Sequence, residues 1–276
     1  MTCANILRQK LRLKEFGLEH DRPKDFITLQ FGRDKLYLVW TGISSVYHFI
    51  WLCLEAYWWR QKSYTLGYWL AYFSNVCYLI LSCMTFVQFL IAIYCYCRKN
   101  KEFRDNMSTM PWFLKVEWVF NNLANAETML ITFTFWIMLN DQPIRAWTIN
   151  KHGINFIYIL LILIFTRKPV KFQHVYIPML FSLYYVVFLC IYSYSTNIVV
   201  YSFLNWRKNA SKAAMMSVLY VLILTPLFHF IFFGIYQLKL YVCRRFSKHK
   251  SESKSKDPDE EVKVGMLKDG EKASSS

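Results

Sequence analysis

The sequence has little charge, and acidic residues are especially scarce. Asp, Glu, Lys and Arg make up 18% of its 276 residues, whereas about 25% is typical of soluble proteins. Hydrophobic residues reach 55%, which excludes disorder over most of the chain because disordered segments have low hydrophobicity. Yet 33 basic residues face only 18 acidic ones, a net charge of +15. A chain that is both more hydrophobic and more basic than average must separate its charged residues from its apolar segments. This pattern indicates an integral membrane protein rather than a nucleic-acid-binding one.

Several sequence features that define enzyme and transporter classes are also missing. There is no G-x-S-x-G, H-E-x-x-H, phosphate-binding loop or dinucleotide fingerprint. No Cys or His pair has the spacing of a structural zinc site, so we predict no metal and no cofactor. No internal repeat is visible, which disfavours the transporter folds that are built from inverted repeats. The first 35 residues contain no long apolar run, so no signal peptide is predicted.

Six apolar segments dominate what is present. A membrane span needs about 20 mostly apolar residues, and each segment reaches or approaches that length. They are residues 36–59, 68–97, 116–139, 149–165, 174–193 and 214–242. The fourth segment is short and begins among polar residues. The sequence therefore predicts an all-α, polytopic transmembrane helix bundle of six spans.

The distribution of Lys and Arg predicts the orientation of this bundle. With both termini in the cytosol, 26 of the 33 basic residues lie on the cytosolic side, as the positive-inside rule requires. Residues 1–35 then form a basic cytosolic arm, and residues 243–276 form a charged, disordered cytosolic tail. Two alternatives stay open for the arm: an amphipathic segment on an anionic membrane surface, or a solvated arm.

Two kinds of modification are predicted at the membrane borders. Cysteines beside basic residues at a cytosolic border suit S-palmitoylation, and unmodified thiols are the equally weighted alternative. The candidates are Cys95, Cys97 and Cys243. Asn209 is the glycosylation candidate because its Asn-Ala-Ser sequon falls in a predicted outer loop.

The third segment is the richest in polar residues. Glu117, Asn121, Asn125 and Thr128 recur at intervals of four, four and three, which places them on one helix face. Interhelical hydrogen bonds commonly explain such asparagines, so helix packing is favoured over catalysis for them. Glu127 lies deeper, and ionisable groups inside a bilayer mark functional sites by default. A transporter or channel is one hypothesis for this polar span.

Several motifs resemble the rolling stone family of invertebrate membrane proteins. They lie at residues 16–26, 68–75, 125–136, 151–155, 167–170 and 201–206. The resemblance implies a multipass protein of the cell surface that acts in myoblast fusion or differentiation. It also implies a plasma-membrane location, with the endoplasmic reticulum as the alternative, and membrane lipids or other membrane proteins as partners.

The layout is also distantly similar to the androgen-induced and androgen-dependent membrane hydrolases. That resemblance implies hydrolysis of fatty acid esters of hydroxy fatty acids by a hydroxyl nucleophile and a histidine. The nucleophile motif matches Ser74, beside Asn75, and the histidine motif matches His152. Asn155 stands where those enzymes have their second, catalytic histidine. In this hypothesis Ser74 attacks the ester, His152 is the general base, and Glu127 or Asn155 orients or polarises it.

Overall fold

The computed structural model describes residues 13–31, 35–61, 65–96, 101–138 and 144–254. Within these ranges the chain contains helices and no β-strand; one isolated antiparallel bridge joins Leu29 to Thr166. The α-helices are α1 (Lys35–Gln61), α2 (Leu66–Leu70), α3 (Phe73–Tyr96), α4 (Lys101–Asp105), α5 (Trp112–Met138), α6 (Ala146–Ile149), α7 (Asn155–Phe165), α8 (Tyr176–Thr196), α9 (Ala210–Leu219) and α10 (Thr225–Lys254). The all-α class is confirmed.

Among the described residues, five helical stretches are long and apolar enough to cross a membrane. They are Lys35–Gln61, Phe73–Tyr96, Ala146–Phe165, Phe172–Thr196 and Ala210–Phe246. The remaining predicted span is helix α5, which has the required length of 27 residues but carries many polar side chains. The protein is a polytopic membrane protein, and six spans with cytosolic termini remain a prediction.

The second predicted span is interrupted near its start. Helix α2 ends at Leu70 and α3 begins at Phe73, so predicted residues 68–97 form two helices instead of one. Polar groups satisfy the backbone at this break: the Asn75 amide donates to the Trp69 carbonyl at 2.8 Å, and the Tyr185 hydroxyl donates to the Ala71 carbonyl at 2.6 Å. Such partners are needed because unpaired backbone groups are costly in apolar surroundings.

Two other spans contain a π-helical turn. Asn150–Ile154 joins α6 to α7, and Tyr220–Leu224 joins α9 to α10. Each stretch begins a few residues before the predicted span, at Ala146 and Ala210 instead of residues 149 and 214. Single π-turns inside α-helices occur frequently at functional sites, and the first of these turns carries His152.

The described part of the N-terminal arm is folded against the helices. Phe26 and Ile27 are 1% and 0% exposed and belong to a core with residues of α1, α3 and α5. The hydroxyls of Tyr37 and Tyr96 donate to the carbonyls of Phe26 and Ile27 at 2.9 and 3.0 Å. Residues 13–31 therefore form a cap that packs against the helices, which differs from a solvated arm. Residues 1–12, which hold part of the predicted membrane-surface segment, lie outside the description, and that alternative stays a prediction.

The chain divides into two compact units, one ending at Phe233 and the other beginning at Gly234. In the second unit α10 continues to Lys254, so the predicted disordered tail is helical from residue 243 to residue 254. Residues 255–276 lie outside the description. The cavity and ion-pair residues discussed below lie in the first unit, where α3 packs between α1 and α5.

Candidate functional site

A cavity of about 390 Å³ lies among α3, α5, α8, the two π-turns and the loop after α8. Its wall is mainly aromatic and aliphatic, with a few hydroxyl groups and one imidazole. Both sequence-predicted catalytic residues line this cavity, together with Thr134, Ser217, Tyr201 and Tyr220. The fold thus brings Ser74 and His152, which are 78 positions apart in the sequence, to the same space.

Ser74 occupies the first turn of α3, directly after the helix break. The preceding residue, Phe73, donates its backbone N–H to the Tyr201 hydroxyl at 2.9 Å. Ser74 itself is partly exposed, so its hydroxyl is accessible from the cavity. Helix N-termini carry positive potential that favours nearby negative charge, such as the oxyanion that forms when an ester carbonyl is attacked.

His152 is held by its aromatic neighbours and its own backbone. Its ring stacks on Phe135 with centroids 4.1 Å apart and an interplanar angle of 4°. The Trp136 indole donates to the His152 carbonyl at 2.9 Å. Among the described residues, the buried Nδ1 atom has no hydrogen-bond partner. A neutral imidazole nitrogen without a partner can accept a proton from a hydroxyl group.

A closed ring of hydrogen bonds joins four buried residues, and two of them are the sequence neighbours of Ser74 and His152. The Lys151 ammonium donates to the Glu55 carboxylate and to the Asn75 amide oxygen. The Trp69 indole donates to Glu55 at 3.1 Å, and Asn75 donates to the Trp69 carbonyl. This ring joins the neighbour of Ser74 to the neighbour of His152, and so couples the positions of α3 and the π-turn.

Sequence reasoning missed this ring, although a signal was present. Lys151 stands at the polar start of the fourth apolar segment; it is 5% exposed inside the helical stretch, and Glu55 is 3% exposed. Charges buried in a membrane span pair with one another. A Lys and a Glu in two predicted spans, each near the same membrane face, therefore suggested an ion pair.

Tyr201 is a further cavity residue that sequence reasoning did not select. It lies in the loop between α8 and α9, and burial raises its pKa to about 12. Its hydroxyl therefore stays protonated at neutral pH. A protonated phenol beside the Ser74 helix terminus can donate a hydrogen bond to an oxyanion.

The two predicted helpers of His152 are placed elsewhere. Asn155 is 1% exposed and donates to the Lys151 carbonyl at 3.5 Å. Glu127 accepts from Ser182 at 2.9 Å, and Ser182 also contacts Thr225 at 3.0 Å. Neither residue lines the cavity, so the structure does not place them as groups that orient or polarise the imidazole.

Glu117 forms a second buried ion pair, at the opposite end of the helices. Its carboxylate accepts from Lys168 at 2.5 Å and from Gln88 at 2.8 Å. Burial lowers the pKa of Lys168, and the nearby Glu117 charge opposes that shift. Glu117 and Lys168 are 1% and 3% exposed. A buried pair of this kind holds segments of the fold together.

The polar stripe of α5 faces the protein interior. Asn121, Asn125 and Thr128 are 2%, 4% and 1% exposed, as helix packing requires. The transporter hypothesis needs a hydrated path past Glu117 and Glu127. Both carboxylates are buried to 1% exposure, and neither lines the 390 Å³ cavity.

The modification candidates differ in accessibility. Cys95 is 0% exposed in the core beneath the N-terminal cap, so the structure leaves no space for an acyl chain on its sulfur. Cys97 lies outside the described residues. Cys243, in the second unit, is partly exposed, and its palmitoylation stays a prediction. Asn209 is exposed and accepts from the Lys212 backbone at 3.0 Å as the cap of α9; its glycosylation also stays a prediction.

No group of three or more His, Cys, Asp or Glu side chains that could hold a metal ion occurs in the described ranges. The cavity groups that could act chemically are serine and threonine hydroxyls, tyrosine phenols and one imidazole. Their chemistry is proton transfer and nucleophilic attack.

Comparisons with known proteins give one distant similarity. The chain is 26% identical over 145 residues to Protein rolling stone of Drosophila melanogaster, an alignment that covers 49% of this chain and 52% of that protein. The chain spans about half the length of the curated relative it matches. No family model and no solved structure matches. The chain is similar to rolling stone. The comparisons do not support the further similarity to the membrane hydrolases.

Proposed function

We propose that this protein is an intramembrane hydrolase that cleaves lipid esters in the 390 Å³ cavity. The observation that carries the proposal is that Ser74 and His152 line one apolar cavity. An apolar cavity with a few convergent polar groups is the usual form of a small-molecule site. Its aromatic and aliphatic wall suits a fatty acyl chain, and its polar groups suit an ester.

The chemistry follows from the available groups. The reaction requires the Ser74 hydroxyl within about 3 Å of the His152 imidazole, which removes its proton as the oxygen attacks the ester carbonyl. The resulting oxyanion is stabilised by the positive potential at the start of α3 and by a hydrogen bond from the Tyr201 hydroxyl. Collapse of this intermediate expels the alcohol, which takes the proton from His152 and leaves an acyl group on Ser74. Water then attacks the acyl group with His152 again as the base, and this step releases the fatty acid.

The test uses the full chain purified in detergent micelles. We expect hydrolysis of a fatty acid ester of a hydroxy fatty acid, and covalent labelling by a fluorophosphonate probe. Ser74→Ala and His152→Ala should each lower hydrolysis at least a thousandfold, because members of such a pair act as a unit. Ser74→Ala should also abolish labelling.

Ser217→Ala is the matched control. Ser217 lines the same cavity, but its hydroxyl donates to the Ala213 carbonyl within its own helix at 2.7 Å. This variant should keep both hydrolysis and labelling. Labelling that persists in Ser74→Ala would assign the nucleophile to another hydroxyl and overturn the proposal.

We also propose a cellular role in cell fusion or differentiation at the plasma membrane. Its support is the 26% identity to rolling stone together with the membrane-spanning helices. Knockout in myoblasts should reduce the number of syncytia, and the full chain should restore it. Rescue by Ser74→Ala would separate the cellular role from hydrolysis, whereas residence only in the endoplasmic reticulum would contradict the role at the plasma membrane.

A further inference from the structure

A second, smaller pocket of about 80 Å³ lies beside Glu55. Its lining consists of one carboxylate and three indoles: Glu55, Trp58, Trp59 and Trp147. Trp58 and Trp147 come from different helices, and their ring centroids are 5.2 Å apart. Since a water molecule needs about 10–15 Å³ measured this way, the pocket holds a group of several heavy atoms.

Indole rings around a carboxylate form a site for an organic cation. The faces of aromatic rings attract cations, Trp most strongly, and aromatic cages are the recurrent binding sites for quaternary ammonium groups. The ring of Trp147 already contacts one cation: the Arg145 guanidinium carbon lies 5.0 Å from its centre. A trimethylammonium group has four carbon atoms around one nitrogen, which suits a pocket of this size.

The charges around the pocket favour a zwitterion over a free cation. Glu55 is already paired with Lys151, so the pair carries no net charge. Arg145 adds one positive charge next to Trp147. A free cation would meet a site that is positive overall, whereas a head group that also carries a phosphate offers a partner to the arginine.

We infer that the Trp58–Trp147 pocket binds the choline group of a phosphocholine lipid, with Arg145 facing its phosphate. The position of the pocket along α1 agrees with a ligand that comes from the membrane. Glu55 lies six residues before the end of α1, about 9 Å along a helix, and so near one end of a helix that is long and apolar enough to span a membrane. Trp residues are enriched at both membrane interfaces in general, but here three of them meet at a buried carboxylate.

The test measures head-group preference and does not depend on hydrolysis. The full chain carrying Ser74→Ala, in maltoside micelles, is titrated with lysophosphatidylcholine and with lysophosphatidylglycerol of the same acyl chain, and bound lipid is counted by native mass spectrometry. We expect at least tenfold tighter binding of the choline lipid. Trp58→Ala and Trp147→Ala should each reduce that preference by about tenfold and leave binding of the glycerol lipid unchanged.

Trp112→Ala is the control, since Trp112 is 75% exposed at the other end of the helices and should not affect the preference. If an alanine variant fails to fold, Trp58→Phe keeps the aromatic face and should retain part of the preference. Arg145→Gln should weaken lysophosphatidylcholine binding but not the binding of free choline. Equal binding of the two lipids, or an unchanged preference in both Trp58→Ala and Trp147→Ala, would overturn the inference.

Discussion

Two buried Lys–Glu pairs in the described part of the chain look alike but have different surroundings. Glu117–Lys168 is enclosed by Gln88 and by the aromatic ring of Tyr37, whose hydroxyl holds the N-terminal cap. In Glu55–Lys151, by contrast, Glu55 lines the indole pocket, and Lys151 precedes His152, which lines the 390 Å³ cavity. The same type of ion pair can therefore stabilise a structural core or support a binding site. What decides between these roles is whether free space adjoins the pair.

The largest expected effect is on stability at the enclosed pair. Lys168→Met should lower the free energy of unfolding by about 3–5 kcal/mol, because it leaves the Glu117 carboxylate buried without a positive charge. Thermal unfolding in detergent measures this loss. The double variant Glu117→Leu with Lys168→Met should recover most of the stability, since no unpaired charge remains. An unfolding temperature equal to that of the unmodified chain in the single variant would mean that the pair is not structural.

A smaller loss of stability, joined to a loss of activity, is expected at the pair beside the cavity. Lys151→Met should cost about 2–3 kcal/mol, because Glu55 keeps its hydrogen bond from Trp69. The variant should also lower ester hydrolysis at least tenfold. The reason is that the Lys151 ammonium, which binds Asn75 next to Ser74, no longer fixes the position of Ser74 relative to His152.

The control for this variant is Lys212→Met, which changes an exposed lysine and should alter neither stability nor hydrolysis. Lys168→Met, at the other ion pair, is a second control. Its folded fraction should hydrolyse ester at the rate of the unmodified chain. Full activity of folded Lys151→Met would show that the ring does not position the site.

The smallest effect is expected where the N-terminal cap meets the helices. Tyr37→Phe removes the buried hydrogen bond to the Phe26 carbonyl and should cost about 1 kcal/mol. Protease cleavage within residues 13–31 should become faster as a result. Tyr176→Phe removes a similar bond to the Phe16 carbonyl on the surface, where water replaces it, so a smaller change is expected. Equal cleavage rates in both variants and the unmodified chain would contradict this role of the cap.

Much of the fold was predictable because its signals are local. Runs of apolar residues predict the helices, and four-residue spacing predicted the buried face of α5 that includes Asn121 and Asn125. The break between α2 and α3 was not predictable, because it depends on Tyr185 and Tyr201 from distant segments. The folded cap was missed for the same reason, since Phe26 and Ile27 find their partners in three different helices.

The candidate site was predictable only in part. Ser74 and His152 came from a resemblance, and the structure places both at one cavity. The residues around them were not predicted, because Lys151 looks like a loop charge until its contacts with Glu55 and Asn75 are known. Asn155 and Glu127 looked like helpers of His152 because they lie near it in the sequence or in predicted depth, yet their side chains have other partners.

The sequence by itself determined that this is an all-α membrane protein, because long apolar runs with little charge are local features that can be read segment by segment. It also indicated that polar residues inside the apolar segments must be buried or paired. Only the tertiary structure decided which of these residues meet: Glu55 with Lys151, Glu117 with Lys168, and Ser74 with His152 across one cavity. The physical reason is that a buried charge must find a partner, and that partner is chosen by how the helices pack.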